Sequence, residues 1–278
     1  LEEIVVTGQY APISESNSVY KVKVINQDYI TSRGAISLPQ VLNSQLNLRL
    51  QEDGVLGSSI NIQGLGGENV KVLIDGVPVV GRLNGSVDLS QINMSNVERI
   101  EVIEGPLSVL YGSNALAGTI NIITKNPEAQ TTSASVTGQY ESVGLTNLSA
   151  SFSTADKKNS ILLEGGRNFF TGWSEYNTTR SKQWNQKEQY FGQAKYKHTF
   201  DKLTIGYSFN GLWEQIKDKG ERLGEHSNNA FDNWYTTERH INSLDFNFQA
   251  GVFSNSSVIA SYTYYRRLNT TYLRDLVN

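Results

Sequence analysis

The residues able to do acid–base, nucleophilic or metal chemistry are few and scattered. The chain has no cysteine, which excludes disulfides, thiol catalysis and thiolate metal sites. Its three histidines, His198, His226 and His240, are not spaced as a ligand set. No HExxH, GxSxG or Walker lysine motif occurs, and the acidic residues form no pair suited to acid–base catalysis. The sequence therefore predicts no enzyme, no metal site and no bound cofactor.

Two polar segments, 170–186 and 214–237, carry side chains of the kind that capture large ligands. Aromatic planes interspersed with hydrogen-bond donors suit a large, partly apolar ligand. The alternative is that these aromatic residues only anchor the rim of a membrane protein. The candidate residues of the two segments are Trp173, Tyr176, Trp184, His226, Trp234 and Tyr235.

Charge and hydropathy narrow the class of protein. The net charge of -3 gives no signal for binding a polyanion, so nucleic acid is not an expected partner. No apolar run reaches the roughly 18 residues of a transmembrane helix. A membrane-spanning strand needs only about 9–11 residues of alternating character, which an average hydropathy does not reveal.

From Thr132 onward, apolar and polar residues alternate over segments of strand length. In 203–213, for example, Ile205, Tyr207 and Phe209 alternate with small or polar residues. Short polar turns alternate with longer connections, as in outer-membrane barrels. A soluble sandwich shows the same alternation, but aromatic residues at the strand ends favour a membrane barrel. We predict roughly seven strands, at 131–142, 145–155, 159–169, 187–200, 203–213, 238–253 and 256–268.

The front of the chain has a mixed α/β pattern centred on Val70–Thr124. Three short Val/Ile-rich runs, Val70–Ile74, Ile100–Ile103 and Thr119–Ile123, predict buried strands. The spacing of apolar residues predicts a helix over Pro106–Leu116, and further short helices over 26–30 and 35–46.

Three segments of this region closely resemble the plug domain of TonB-dependent outer-membrane transporters. They are VLIDGVPV at Val72–Val79, VERIEVIEGP at Val97–Pro106 and LYGSNALAGTINIIT at Leu110–Thr124. The chain departs from the family pattern at Gln63 and Glu104, where many members carry arginine.

The resemblance implies a fold and a division into domains. Residues 1–17 would be a TonB box and linker, 18–128 an α+β plug, and 129–278 the first strands of an antiparallel membrane β-barrel. Plugged transporters have about 22 strands. Since seven strands cannot close, and an open edge in lipid leaves backbone amides unpaired, we expect this chain to be the N-terminal portion of a longer protein.

The resemblance also implies the binding residues. A β-prone segment at the terminus can pair with a partner strand, so Glu3, Ile4, Val5, Val6 and Thr7 would bind TonB; the alternative is a short first strand of the domain. Two glycine-rich tips would face the ligand, unless they are ordinary solvated turns. Their candidate residues are Val55, Leu56, Gly57, Ser58, Arg82, Leu83 and Asn84.

The implied activity is import across the bacterial outer membrane, with TonB and ExbB/ExbD supplying energy. VLIDG followed by DLSQ at Asp88–Gln91 resembles the plug of vitamin B12 transporters, which favours cobalamin, a corrinoid, as the ligand. A ferric siderophore or haem is the alternative ligand, and a passive surface receptor or adhesin is the alternative function. Membrane lipid and a possible surface lipoprotein complete the expected partners.

Overall fold

The computed structural model describes residues 4–5, 7, 13–14, 22–45, 48–53, 57–81, 86–105, 115–127, 130–175, 180–224, 227–249 and 255–276. Tertiary contacts divide the chain into two units, Leu1–Lys125 and Asn126–Asn278. No helix among the described residues is long and apolar enough to cross a membrane.

The first unit combines small sheets with short helices. Its strands are β1 Ile4–Val5, β2 Ile13–Ser14, β3 Val22–Asn26, β4 Leu48–Asp53, β5 Gly57–Ile62, β6 Leu65–Gly66, β7 Val70–Ile74, β8 Val77–Pro78, β9 Val97–Glu104 and β10 Gly118–Thr124. Its helices are α1 Gln27–Ser32 and α2 Leu38–Leu42, with 3-10 turns at Gly67–Asn69 and Leu89–Gln91. The main sheet has the order β3-β9-β10-β7-β8, and within it only β10 and β7 run parallel. A second sheet has the order β4-β5-β6, and β1 pairs with β2.

The sequence of the main sheet explains its arrangement. β10 lies at the centre and is buried along its whole length, including its polar residues Thr119, Asn121 and Thr124. Asp75 and Gly76, with φ of 49° and 80°, form the two-residue connection between β7 and β8. Both residues need positive φ in a type I′ turn, which is why Asp-Gly predicts a hairpin.

The two predicted N-terminal helices are present, with different bounds. α1 begins after Asn26, whose side chain accepts the amide N–H of Tyr29 at 3.1 Å. α2 is shorter than the predicted 35–46 because Pro39 fits only in a first helical turn, so the helix begins at Leu38. Most of the predicted helix at 106–116 lies outside the described residues; Ala115 and Leu116 are described and are not helical.

The second unit is one antiparallel sheet of seven strands in chain order. They are β11 Thr132–Glu141, β12 Leu145–Ala155, β13 Asn159–Phe170, β14 Gln186–Thr199, β15 Leu203–Arg222, β16 Asn229–Gln249 and β17 Asn255–Asp275. Three predicted bounds are wrong: the fifth strand ends at Arg222 rather than 213, the sixth begins at Asn229 rather than 238, and the seventh ends at Asp275 rather than 268. β15 and β16 continue beyond them, with Glu214 opposite Thr237 and Lys217 opposite Trp234. The alternation weakens there because polar residues such as Glu214, Gln215 and Lys217 occupy both faces of β15, although Ile216 stays apolar and buried.

The register of this sheet separates two chemically different faces. One face carries exposed large hydrophobic residues, as expected of a lipid-facing surface. We call it the apolar belt: Val136, Leu148, Phe152, Leu163, Tyr196, Tyr207, Leu244 and Val258. The opposite face carries a polar row that crosses all seven strands: Gln139, Asn147, Asn168, Gln189, Glu214, Thr237 and Arg267. Within it, Gln189 Nε2 donates to Glu214 Oε2 at 2.6 Å.

Candidate functional site

The amino-terminal segment packs on the first unit through its apolar side. Val5 is fully buried in a cluster with Val22, Ile103 and Ala115. β1 also pairs antiparallel with β2, so one edge of the segment already has a partner. The sequence predicts a strand with free amides, whereas the structure shows a two-residue strand that pairs with β2 and is anchored by the buried Val5. Ile4, Val5 and Thr7 are described; Glu3 and Val6 lie outside the described residues.

Thr7 is held by side chains from the two central strands of the main sheet. Glu101 Oε2 accepts both the Thr7 amide N–H, at 2.7 Å, and the Thr7 hydroxyl, at 2.5 Å. Asn121 Nδ2 donates to Thr7 Oγ1 at 3.0 Å, and Asn121 Oδ1 accepts the amide N–H of Gly76 at 3.1 Å. Thr7 and Glu101 are fully buried. Arg99 Nε donates to the other Glu101 oxygen at 2.9 Å, which helps to compensate for burial of the carboxylate. We call Glu101 and Asn121 the Thr7 clamp.

The buried Asp88 links the first glycine-rich tip to the 3-10 turn Leu89–Gln91. Asp88 Oδ1 accepts the amide N–H of Ser58 at 3.0 Å and both the amide and hydroxyl of Ser90 at 3.0 and 2.8 Å. Gly57 has φ of +80°, and a Cβ there would lie 2.0 Å from the Asp88 carboxylate. The carboxylate therefore occupies space that only glycine leaves open. Two predicted tip residues, Gly57 and Ser58, are thus brought onto Asp88.

The connection between β13 and β14 is fastened by one arginine. Arg180 NH1 and NH2 lie 2.6 and 2.8 Å from the Asp232 carboxylate oxygens, and NH1 also donates to the Gly220 carbonyl at 2.5 Å. The Asp232 side chain is 5% exposed. On the same connection, Trp173 and Trp184 exchange two backbone hydrogen bonds of 2.8 and 2.9 Å, and each residue is 43% exposed. Two predicted ligand-binding aromatics therefore lie side by side.

Trp234 and Tyr235 lie within β16, so the prediction of a loop at these positions is wrong. Successive strand residues point to opposite faces. Trp234 contacts Tyr272 edge-on at 5.0 Å between ring centroids, with Lys217 Nζ 4.8 Å from its ring. On the other face, the Arg267 guanidinium lies 5.5 Å from the Tyr235 ring. Trp234 shares the face of the apolar belt and Tyr235 the face of the polar row, so the two side chains do not line one surface.

The remaining predicted binding residues lie outside the described residues. They are Val55, Leu56, Arg82, Leu83, Asn84, Tyr176 and His226. The sequence reasoning did not assign a role to Asp88, Glu101 or Asn121. Asp88 could have been found, because an aspartate before Leu-Ser-Gln is a helix-capping signal. Glu101 and Asn121 give no such signal, since each occupies an ordinary position in a strand.

The arrangement is suited to binding a ligand or a partner chain. The described part of the chain contains no group of three or more His, Cys, Asp or Glu residues placed to hold a metal. What it does contain are hydrogen-bonded positions for the terminal segment and one tip, and a fastened aromatic pair. Such groups position surfaces for a ligand or a partner chain.

Comparison with known proteins defines the class. Residues 14–119 match the sequence profile of the TonB-dependent Receptor Plug Domain. The vitamin B12 transporter BtuB of Vibrio cholerae is 34% identical over 126 residues, which cover 45% of this chain and 21% of the transporter.

Solved structures extend the likeness over nearly the whole chain. The siderophore receptor PiuA from Acinetobacter baumannii matches with a TM-score of 0.70 and 15% identity, over 98% of this chain and 39% of that one. The ferric yersiniabactin uptake receptor FyuA from Yersinia pestis matches with a TM-score of 0.58 and 12% identity, over 93% of this chain and 50% of that one. At these identities the likeness shows the fold, and this chain spans half or less of each receptor.

A plug domain followed by antiparallel strands that match the solved receptors defines the plug-and-barrel fold. Residues 14–119 are a TonB-dependent receptor plug domain, and the proteins that this chain resembles are transporters and receptors of that family. The fold class and the outer-membrane location inferred from the sequence are thereby confirmed.

Proposed function

We propose that this chain is the plug-bearing part of an importer that takes a scarce, large nutrient across the outer membrane, with cobalamin as the nutrient. The observation that carries the proposal is the 34% identity over 126 residues with a vitamin B12 transporter. The proposed domains are a TonB box and linker at 1–17, a plug at 18–128 and barrel strands at 129–278. The division of the structure into units at 125/126 supports the boundary between plug and barrel.

The proposed ligand-binding residues lie in the glycine-rich tips of the first unit and in the long connections of the second. The contacts of Gly57 and Ser58 with Asp88 support this assignment. Because they hold the tip in one conformation, less conformational entropy is lost when a ligand binds. The exposed Trp173–Trp184 pair offers aromatic planes to a corrinoid ring. Tyr176 and His226 are further proposed ligand-binding residues of the connections, and Val55, Leu56, Arg82, Leu83 and Asn84 are those of the tips. Trp234 and Tyr235 were predicted to bind the ligand as well, but they fit a common binding surface less well because their side chains lie on opposite faces of β16.

Energy would come from TonB, with ExbB and ExbD, through Glu3–Thr7. A short β-prone segment recruits a partner by adding it as a strand, which uses the main-chain amides of both chains. Because β1 is already paired and Val5 is buried, the segment must leave its place to do so. A change of about 1–3 kcal/mol on ligand binding, the usual size of an allosteric coupling, is sufficient to shift that equilibrium.

A ferric siderophore is the second candidate ligand. It is favoured by the structural neighbours, which include receptors for ferric yersiniabactin and ferric enterobactin. Haem uptake would use the same surfaces, and a surface lipoprotein partner is compatible with each ligand.

Direct titration of the whole receptor with cyanocobalamin, haemin and a ferric siderophore tests the ligand. We expect micromolar or tighter binding of cyanocobalamin, and failure to bind it at micromolar concentration would exclude the cobalamin assignment. Deleting Glu3–Thr7 tests the mechanism: uptake should stop while ligand binding to cells persists. Uptake that continues without the segment would instead identify a passive receptor.

A further inference from the structure

The Thr7 clamp differs from an ordinary packing contact in the number of donors that meet one carboxylate. Glu101 Oε2 accepts both the amide and the hydroxyl of Thr7, a residue 94 positions away in the sequence. Hydrogen bonds to an ionised group are roughly twice as strong as those between neutral groups. Thr7 is therefore held more firmly than the burial of Val5 alone would hold the segment.

The direction of each hydrogen bond follows from the Gly76 amide, which can only donate. The Gly76 amide donates to Asn121 Oδ1, so Asn121 Nδ2 faces Thr7 and donates to its hydroxyl oxygen. The Thr7 hydroxyl must then use its own proton for Glu101. Releasing Thr7 would leave the buried Glu101 carboxylate without two donors, which is costly unless water enters.

We infer that Glu101 and Asn121 are positioning residues that set how often the amino-terminal segment leaves the plug, and hence how often it is available to TonB. This inference rests on the proposed function for its consequence, but the clamp itself is defined by contacts within the plug. Thr7 is the handle by which the segment is held, and Glu101 is the group that holds it. Weakening either one increases the released population.

Cysteine modification of the whole receptor, purified without TonB or ligand, measures that population. Residues 1–278 contain no cysteine, so Val5→Cys introduces a reporter in this chain at a position that is buried when the segment is in place. The rate of its reaction with a maleimide reports how often the segment opens. Glu101→Gln should raise this rate at least about tenfold, because the hydrogen bonds lose their charge. Thr7→Val, which removes only the hydroxyl, should raise it about fivefold.

Matched variants separate the clamp from general loosening of the plug. Thr7→Ser keeps the hydroxyl and should restore the slow rate. Glu98→Gln should leave the rate unchanged, because Glu98 pairs with the same Arg99, at 2.6 Å, and is not a member of the clamp. In the double variant Glu101→Gln with Thr7→Val, the two effects should be less than multiplicative, as expected of groups that act through each other. Heat-modifiable migration on gels checks that each barrel is folded.

Three results would overturn the clamp. If the thiol introduced by Val5→Cys already reacts at the rate of the urea-unfolded receptor, the segment is not held. An unchanged rate in Glu101→Gln and Thr7→Val would mean that these groups do not hold it, and fully multiplicative effects would mean that they act separately. Thr7→Val keeps the test valid if Glu101→Gln fails to fold, since it changes only the terminal segment. If all the expected rates are seen but the receptor neither binds TonB nor transports, the clamp is supported and the proposed function is refuted.

Discussion

Replacement of Arg180 by alanine should loosen the connection that carries Trp173 and Trp184. The guanidinium is the group that ties this connection to Asp232 and to the Gly220 carbonyl, through contacts of 2.5–2.8 Å. We expect backbone amides of residues 173–184 to exchange with solvent faster in Arg180→Ala, while the strands on either side retain their protection.

The size of the effect follows from what remains around Asp232. Removing one partner of a buried ion pair typically costs about 3–5 kcal/mol. Here Arg180 is 23% exposed, and Arg274 Nε stays 3.6 Å from Asp232 as a second cation. We therefore expect about 1.5–3 kcal/mol, which corresponds to roughly 10- to 150-fold faster exchange.

Hydrogen exchange of the whole receptor, read by mass spectrometry, measures this directly. Arg167→Ala is the matched control, because Arg167 pairs with Glu188 at a similar 2.8 Å while its side chain is 44% exposed. An exposed ion pair contributes about 0.2–1 kcal/mol to stability, so amide exchange near Arg167 should change less than about fivefold in Arg167→Ala. Equal protection of residues 173–184 in wild type and Arg180→Ala would refute the role assigned to Arg180.

The remaining predictions concern a tip, a turn and the lipid-facing surface. Gly57→Ala should destabilise the plug by about 1–3 kcal/mol in denaturant titration, because its Cβ would meet the Asp88 carboxylate and φ is positive; unchanged stability would contradict this. The pKa of Asp156 is held below its usual value by the Lys158 amide N–H, so amide protection in this turn should be complete above the unfolded pKa and decline as the pH falls through the lowered value. Leu163→Arg should cost about 2–4 kcal/mol in refolding into bilayers, whereas Ser151→Arg on the opposite face should be tolerated. Equal costs would contradict the assignment of faces.

The sequence predicted the number of barrel strands because each has one face of apolar residues. The paired segments 214–222 of β15 and 229–237 of β16 were missed because they lack such a regular apolar face. Glu214 and Thr237 lie opposite each other in a regular ladder, but nothing in their types indicates strand pairing. The pairing there follows from the register of the preceding residues, 203–213 of β15 with 238–248 of β16, which continues along the same two strands.

The plug shows a similar division between what local sequence determines and what tertiary structure adds. Asp75-Gly76 predicts its own turn, because the conformation depends on those two residues alone. Glu101 is an acidic residue in a strand and is expected to be exposed, yet it is fully buried. The reason is Thr7, a residue 94 positions away whose approach no local pattern encodes. The candidate site was therefore predictable in outline, and its holding groups were not.

The hydrogen bonds that meet at Asn121 all run one way, from the Gly76 amide through the carboxamide and the Thr7 hydroxyl to the Glu101 carboxylate. Such a series is polarised, so each link strengthens the next. We expect a displacement of the hairpin between β7 and β8 to lengthen the hydrogen bond from Gly76 to Asn121, and so to weaken the hold on Thr7. The Asn121 carboxamide, with one donor end and one acceptor end, thus links the turn between β7 and β8 to Thr7.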